Sequence, residues 1–414
     1  MKEIYITRDL EKKINKYLKR KEIIAIVGPR QCGKTTLMKH VFSNLKNGNF
    51  VSFDDRNLLK LFDEDISLFI KKYVDGKDYL FIDEFQYSKD GGKQLKFIYD
   101  SQKIKILISG SSAPELSIQS IKYLVGRVFV LNLYPLSFLE FLNYKDKKLL
   151  EVISKEKFSE PALKLISDYY EEYCIFGGYP AVVISDSSEE KIEVLKNVYN
   201  TYLLREIRDI LQISDDSKLI SLMKALALQT GSLVNYKEIS LLSGLKYDEV
   251  VKNVNILRNT FVCLESKPFF RNKRKELVKS PKIYFLDLGF RNFIINDFRK
   301  LKDRQDFGGI NENFVACEIS RKDFILKFWR TKAGAEVDFV IEKDNDIIPI
   351  EVKTTLRDSK YGKSLKNFVS KNKSKKGFIL SFSHTDKIIL EGATIRFAPI
   401  FLTEKIISHL NNSS

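Results

Sequence analysis

No apolar run in the 414-residue sequence approaches the roughly 18 residues that a membrane-spanning helix needs. The opening Met1-Lys-Glu-Ile-Tyr-Ile also lacks the apolar stretch of a signal peptide. A cytoplasmic chain with no membrane partner is the expectation. Cysteine and histidine are scarce: Cys32, Cys174, Cys263 and Cys317 are scattered, and His40, His384 and His409 stand apart from them. Such spacing supports neither a disulfide framework nor a zinc site. Acidic residues fall short of basic ones, 54 against 70, which leaves a formal charge of +16. That surplus favours an acidic partner, DNA ahead of a membrane surface, although a lysine-rich, arginine-poor surplus is also the signature of an A·T-rich genome. With 44% apolar and 30% charged residues the composition is globular, and the length exceeds what one core usually supports.

What is present begins with residues 28–36, Gly28-Pro29-Arg30-Gln31-Cys32-Gly33-Lys34-Thr35-Thr36, which fit G-x-x-x-x-G-K-[ST] directly after the apolar run 23–27. A buried strand delivers the chain to a glycine-rich turn, whose backbone N–H groups can converge on a phosphate because Gly28 and Gly33 carry no Cβ. A helix from Lys34 adds its dipole and carries Leu37, Met38 and Val41 toward a core. Lys34 is expected at the β and γ phosphates, and Thr35 at magnesium. The strand Tyr79-Leu-Phe-Ile-Asp83-Glu84 then ends in two carboxylates, Asp83 for the magnesium shell and Glu84 to polarise the attacking water. A further strand, 104–109, ends at Ser109 and Ser111, whose hydroxyls either position that water or belong to a plain serine-rich turn. Asp54-Asp55, after a strand over 49–53, either face the ligand or cap the next helix. Arg127, in Gly126-Arg-Val-Phe-Val, is placed either on phosphate charge or in a structural salt bridge.

The set GPRQCGKTT, YLFIDEFQ, LISGSSAPEL and GRVFVLNLYPLSFLEF resembles the AAA-type P-loop ATPases of archaea and bacteria that carry a C-terminal domain of unknown function. The resemblance runs nearly end to end and includes Phe176-Gly-Gly-Tyr-Pro180 and the stretch 202–210. It implies an α/β fold with a five-stranded parallel P-loop sheet over 1–150, a helical lid over 151–213, and ATP with Mg2+ as cofactors. It also implies a role for Arg127 and, more weakly, for Arg208 as a lid arginine. A homo-oligomer is a further expectation. Between 160 and 212 the tyrosines 169, 170, 173, 199 and 202 form an aromatic stripe of the kind usually buried in a core.

Residues 214–295 have winged-helix spacing: helices over 235–242 and 247–259, a turn at Ser243-Gly244, then a wing. The second helix would present Lys252, Asn253, Asn255 and Arg258, and the wing carries the basic run Arg271, Lys273, Arg274 and Lys275. Asp248 and Glu249 open that helix with the wrong sign for phosphate, so packing is the competing role. Over 296–414 a helical Glu312, then Asp338, then Glu351-Val-Lys353 is similar to the restriction-endonuclease-like core, a mixed α/β domain. Glu351 and Lys353 project from one face of a strand. Asp338 and Glu351 are candidate ligands of a second magnesium ion, with Lys353 beside the reacting water and Glu312 as a further carboxylate. The expectation is an ATPase whose C-terminal half engages DNA or a protein partner. An ATP-controlled nuclease and an ATP-dependent switch are its rivals.

Overall fold

The computed structural model describes residues 4–110, 121–156, 158–213, 215–272, 276, 279–356, 358–382 and 384–412. They divide into two units: 1–136 with 179–181 and 259–261, and the remainder of the chain from 137 onward.

In the first unit five strands, β1 (Ile23–Val27), β2 (Gly48–Ser52), β3 (Tyr79–Asp83), β4 (Lys105–Gly110) and β5 (Val128–Asn132), form one parallel sheet in the order β2-β3-β4-β1-β5. Helices cover both faces, so the strands read as unbroken apolar runs. Alternation splits them between two cores. Ile23, Ala25, Leu80, Ile82, Ile106 and Ile108 enter one, while Ile24, Ile26, Phe81 and Leu107 enter the other. The first helix, α1 (Leu10–Leu18), turns the fully buried Ile14 toward the second core, with Leu10, Tyr17 and Leu18 packed beside it. Helix α2 (Lys34–Ser43) buries Leu37, Met38 and Val41, as its spacing predicts. Asp55 settles its two roles in favour of capping: its carboxylate accepts from the backbone N–H of Asn57 (2.9 Å) and Leu58 (3.3 Å) at the start of α3 (Arg56–Glu64). Helices α4 (Ile66–Tyr73) and α5 (Gly91–Ser101) complete the described helical cover.

The second unit opens with helices α6 (Phe138–Lys145), α7 (Lys147–Lys155) and α8 (Glu160–Phe176). The aromatic stripe is core: Tyr170 and Tyr173 pack on Phe314 with ring centroids 4.9 and 6.0 Å apart. After α9 (Ser188–Val198) come α10 (Asp216–Leu228), α11 (Tyr236–Ser243) and α12 (Tyr247–Asn259). Asn235 caps α11, and Gly244, at φ +66°, makes the turn between α11 and α12. Two antiparallel strands follow, β6 (Cys263–Pro268) and β7 (Lys282–Phe285).

These strands do not stop at a hairpin. Strand β6 also pairs in parallel with β8 (Lys327–Arg330), which pairs with β9 (Glu336–Val337), giving a four-stranded sheet β7-β6-β8-β9. A second, mixed sheet is built from β10 (Phe339–Lys343), β11 (Asp346–Val352), β12 (Lys376–Ser381), β13 (Asp386–Leu390) and β14 (Ala393–Pro399), in the order β10-β11-β12-β14-β13. Helix α13 (Leu288–Ile295) precedes α14 (Phe307–Arg321), which is buried over most of its length. Helix α15 (Lys363–Asn372) sets Leu365 and Val369 on Ile379, Ile395 and Phe397, and α16 (Thr403–Asn412) is the last described helix. Of the lysines around α15, residues 363, 366, 371, 373 and 375 are exposed, a solvated face.

Candidate functional site

At the carboxyl end of β1, Gly33 adopts φ +94°, a left-handed conformation open to glycine, and α2 begins at the next residue. Gly28 lacks a Cβ for a packing reason as well, since one would lie 2.0 Å from the carbonyl oxygen of Leu133. The loop closes over the Lys34 ammonium, which is buried and donates to the carbonyls of Gly28 (3.0 Å) and Pro29 (2.9 Å). The Thr35 hydroxyl donates to Asp83 Oδ2 at 2.7 Å, although 48 residues separate them. Ser109, fully buried on β4, donates to the other Asp83 oxygen and accepts from the Glu84 backbone N–H at 3.2 Å. Glu84 itself stands at φ +54°, an uncommon conformation for a residue with a side chain, and Gln86 donates to its carboxylate. A hydroxyl and a carboxylate in contact at the mouth of the loop are the hard oxygen donors that magnesium prefers. Residues 28–36, Asp83, Glu84 and Ser109 are thus brought together, and they fit a magnesium-bound nucleotide.

Arg8 belongs to the same neighbourhood and was missed from the sequence. Its guanidinium, 5% exposed with the rest of the residue, donates to the carbonyls of Cys32 (2.9 Å) and Tyr134 (2.5 Å), tying the P-loop to the chain that leaves β5. A single arginine ahead of an amphipathic helix carries no signal of such a role. Arg127 requires a correction. It precedes β5, which runs parallel to β1, so it lies at the amino edge of the sheet, about five residues of strand or roughly 17 Å from the P-loop edge. There it pairs with Asp100 at 3.1 Å, the structural alternative. Ser111 lies outside the described residues. Arg208 pairs with Asp216 at 3.2 Å.

On α12, Lys252 and Asn255 are exposed, whereas Asn253 is buried and Arg258 pairs with Glu265 on β6, which corrects the expectation that all four are presented. The cause is the helical period, since Asn253 falls on the inward face with Val250, Val254 and Leu257. In the basic run Arg271 donates to the Lys371 carbonyl at 3.1 Å; Lys273, Arg274 and Lys275 lie outside the described residues.

The carboxylates of the last hundred residues also converge. The backbone N–H of Val352 donates to Asp338 Oδ2 at 2.7 Å, and Lys353 Nζ lies 3.2 Å from Glu351 Oε2. Burial raises both acids above their ordinary values, and each has the other's neighbourhood to contend with: Lys282 and Lys353 lower Asp338, Lys353 lowers Glu351, and Asp338 raises Glu351. Glu312 is pushed up to about 7, by burial first and by Asp338 second. Its Oε2 accepts from Lys282 Nζ (3.3 Å) and the Tyr284 hydroxyl (3.1 Å), two strand residues from outside the motif. Lys282 also meets Glu336 at 2.5 Å. Among the described residues no group of three or more His, Cys, Asp or Glu is arranged to hold a metal ion. Glu312, the further carboxylate of the expected magnesium site, is thus in contact with Lys282, while Asp338 and Glu351, its two expected ligands, have Lys353 as a neighbouring cation.

Residues 20–142 match the AAA domain family, so an AAA-type domain lies at the amino end of the chain. Residues 167–301 and 307–400 match two domains of unknown function, DUF8612 and DUF4143. An uncharacterized protein of Haemophilus influenzae is 27% identical over 67% of this chain, and the chain spans 66% of that protein's length. An uncharacterized protein of Methanocaldococcus jannaschii is 26% identical over 92% of this chain and 85% of its own. Among solved structures, the chain is similar to a signal-transduction ATPase with numerous domains from Pyrococcus horikoshii (TM-score 0.28, 15% identity, 77% of this chain and 46% of that one). It is also similar to the Aeropyrum pernix ORC1 protein in complex with DNA (TM-score 0.29, 10% identity, 70% and 93%). No helix among the described residues is long and apolar enough to cross a membrane.

Proposed function

We propose that this chain is a magnesium-dependent, ATP-hydrolysing AAA-type ATPase whose C-terminal half engages DNA or a protein partner. The observation that carries the reading is the junction of Thr35, Asp83, Ser109 and Glu84 beside the buried Lys34. Lys34 would bind the β and γ phosphates, and Thr35 and Asp83 would hold magnesium, which supplies charge neutralisation on those phosphates. Glu84 would take a proton from the attacking water, while Ser109 holds the Asp83 carboxylate and the Glu84 backbone in register. Left-handed backbone at Glu84 supports this role, because conformations of that cost persist where surrounding contacts hold a working side chain.

For the C-terminal half, the whole chain's net charge of +16 and the exposed Lys252 and Asn255 support DNA, with winged-helix and restriction-endonuclease-like parts at about 214–295 and 296–414. The cytoplasm is the expected compartment, and a homo-oligomer the expected assembly. ATP turnover with and without duplex DNA, followed by a gel of the same DNA, tests the reading. DNA-stimulated turnover with intact DNA is the expected result. Turnover indifferent to DNA would leave a protein partner, metal-dependent nicking would restore the nuclease, and no turnover under any condition would leave a nucleotide-binding switch.

A further inference from the structure

The carboxylate centre of the second unit already contains a cation. Lys282 opens β7, and its side chain is 2% exposed. Three separate contacts fix its ammonium: Glu312 of α14 at 3.3 Å, Glu336 of β9 at 2.5 Å, and the Phe328 ring of β8, whose centroid lies 5.6 Å away. The carboxylates are held from their other sides as well, Glu312 by the Tyr284 hydroxyl at 3.1 Å and Glu336 by Arg330 at 3.2 Å. Leu233 bridges to Lys282 through the backbone, and β7 is paired along its length with β6, so the lysine is anchored in a sheet rather than on a loop.

Taking an ammonium out of water costs several kcal/mol, and only close anions repay it. Lys282 has the carboxyl groups of Glu336 and Glu312 in contact, with Asp338 near enough to favour its charge. A divalent ion entering among Glu312, Glu336 and Asp338 would meet that ammonium at short range in a medium that screens poorly, and would have to expel it or pay for its repulsion. We propose that Lys282 is the resident cation of this centre, standing in the place of a divalent metal, so that the centre is a closed, metal-independent charge cluster joining β7, β9 and α14.

The test is a count of bound Mn2+ by electron paramagnetic resonance on the full chain without nucleotide, up to about 1 mM, the weak end of carboxylate-site affinities. Wild type should hold no Mn2+ that Asp338→Asn removes. Lys282→Met should gain one site, about tenfold or more tighter than any in wild type and abolished by a second change, Asp338→Asn. Lys282→Arg should gain none. Thermal melts establish that each variant is folded; if Lys282→Met is not, Lys282→Met/Glu336→Gln removes one charge of each sign and should gain the same Asp338-dependent site. Mn2+ held by wild type and lost in Asp338→Asn overturns the proposal, and so does a folded lysine-less variant with no new site. Neither result bears on ATP hydrolysis, which is measured separately.

Discussion

Lys34 and Lys282 are both buried lysines, one in each unit, and they differ in what receives their protons. Lys34 donates to two neutral carbonyls of its own loop. Its positive charge stays uncancelled, as a group awaiting an anion requires. Lys282 donates to two carboxylates from distant elements, and its charge is cancelled inside the fold. The same side chain therefore serves a ligand in the first place and the architecture in the second. Burial alone does not separate the two roles; the formal charge of the partners does.

The comparison is sharpened first at the nucleotide site, where effects on rate should be largest. Glu84→Gln should lower kcat by about 100-fold or more while leaving ATP affinity in place, and Lys34→Ala should weaken affinity itself. Equilibrium binding beside single-turnover kinetics separates them, and unchanged turnover in the glutamine variant removes Glu84 from the mechanism. Next in size, Lys282→Met should destabilise the second unit by about 3–5 kcal/mol, because it strands buried acids without their cation. Lys34→Met should cost far less stability, and denaturant melts showing equal losses would break the distinction between the two lysines.

A smaller effect is expected from pH. Glu312 is raised from 4.5 to about 7, so the folded chain keeps a proton that the unfolded chain has released. The associated stability is fully present below about 4.5 and is lost as pH rises toward 7, on the order of 3 kcal/mol in all. Melting temperatures across that window should fall in wild type and flatten in Glu312→Gln. The smallest effect belongs to Arg127→Ala, which removes a partly exposed ion pair with Asp100 and should cost below about 1 kcal/mol with the chain's own turnover unaltered. A large loss of turnover there would return Arg127 to the catalytic set.

How much of this was legible depends on whether partners are neighbours in sequence. Residues 28–36 are contiguous, and Asp83-Glu84 end an apolar strand, so the nucleotide site could be read before any fold was known. Strand β2 came out one residue earlier than its apolar pattern, at Gly48–Ser52, because pairing with β3 sets its ends. Arg127 was misplaced although the remedy was at hand: a residue before a strand parallel to β1 must lie at the opposite edge from a loop after β1. Asn253 yields to the same scrutiny, since the spacing of Val250, Val254 and Leu257 already turns it inward. Lys282 does not. Its partners lie 30 and 54 residues on, at Glu312 and Glu336, and only the packing of α14 and β9 brings them to it.

In the Phe176-Gly-Gly break at the end of α8, Gly177 owes its lack of a side chain to a residue more than a hundred positions later. Asp287 accepts the Gly178 N–H at 2.7 Å, and a Cβ on Gly177 would lie 2.2 Å from its carboxylate. Asn292 reaches the same end, donating to the carbonyls of Cys174 and Ile175 at 2.9 Å each. During synthesis, α8 can wind as soon as its residues leave the ribosome, but these partners of its last turn come only once 287–292 are made. A chain stalled between those points would carry a frayed end with unmet backbone groups, and closing so long a loop is a slow step. Asp287→Ala should then retard refolding in proportion to how early that latch forms.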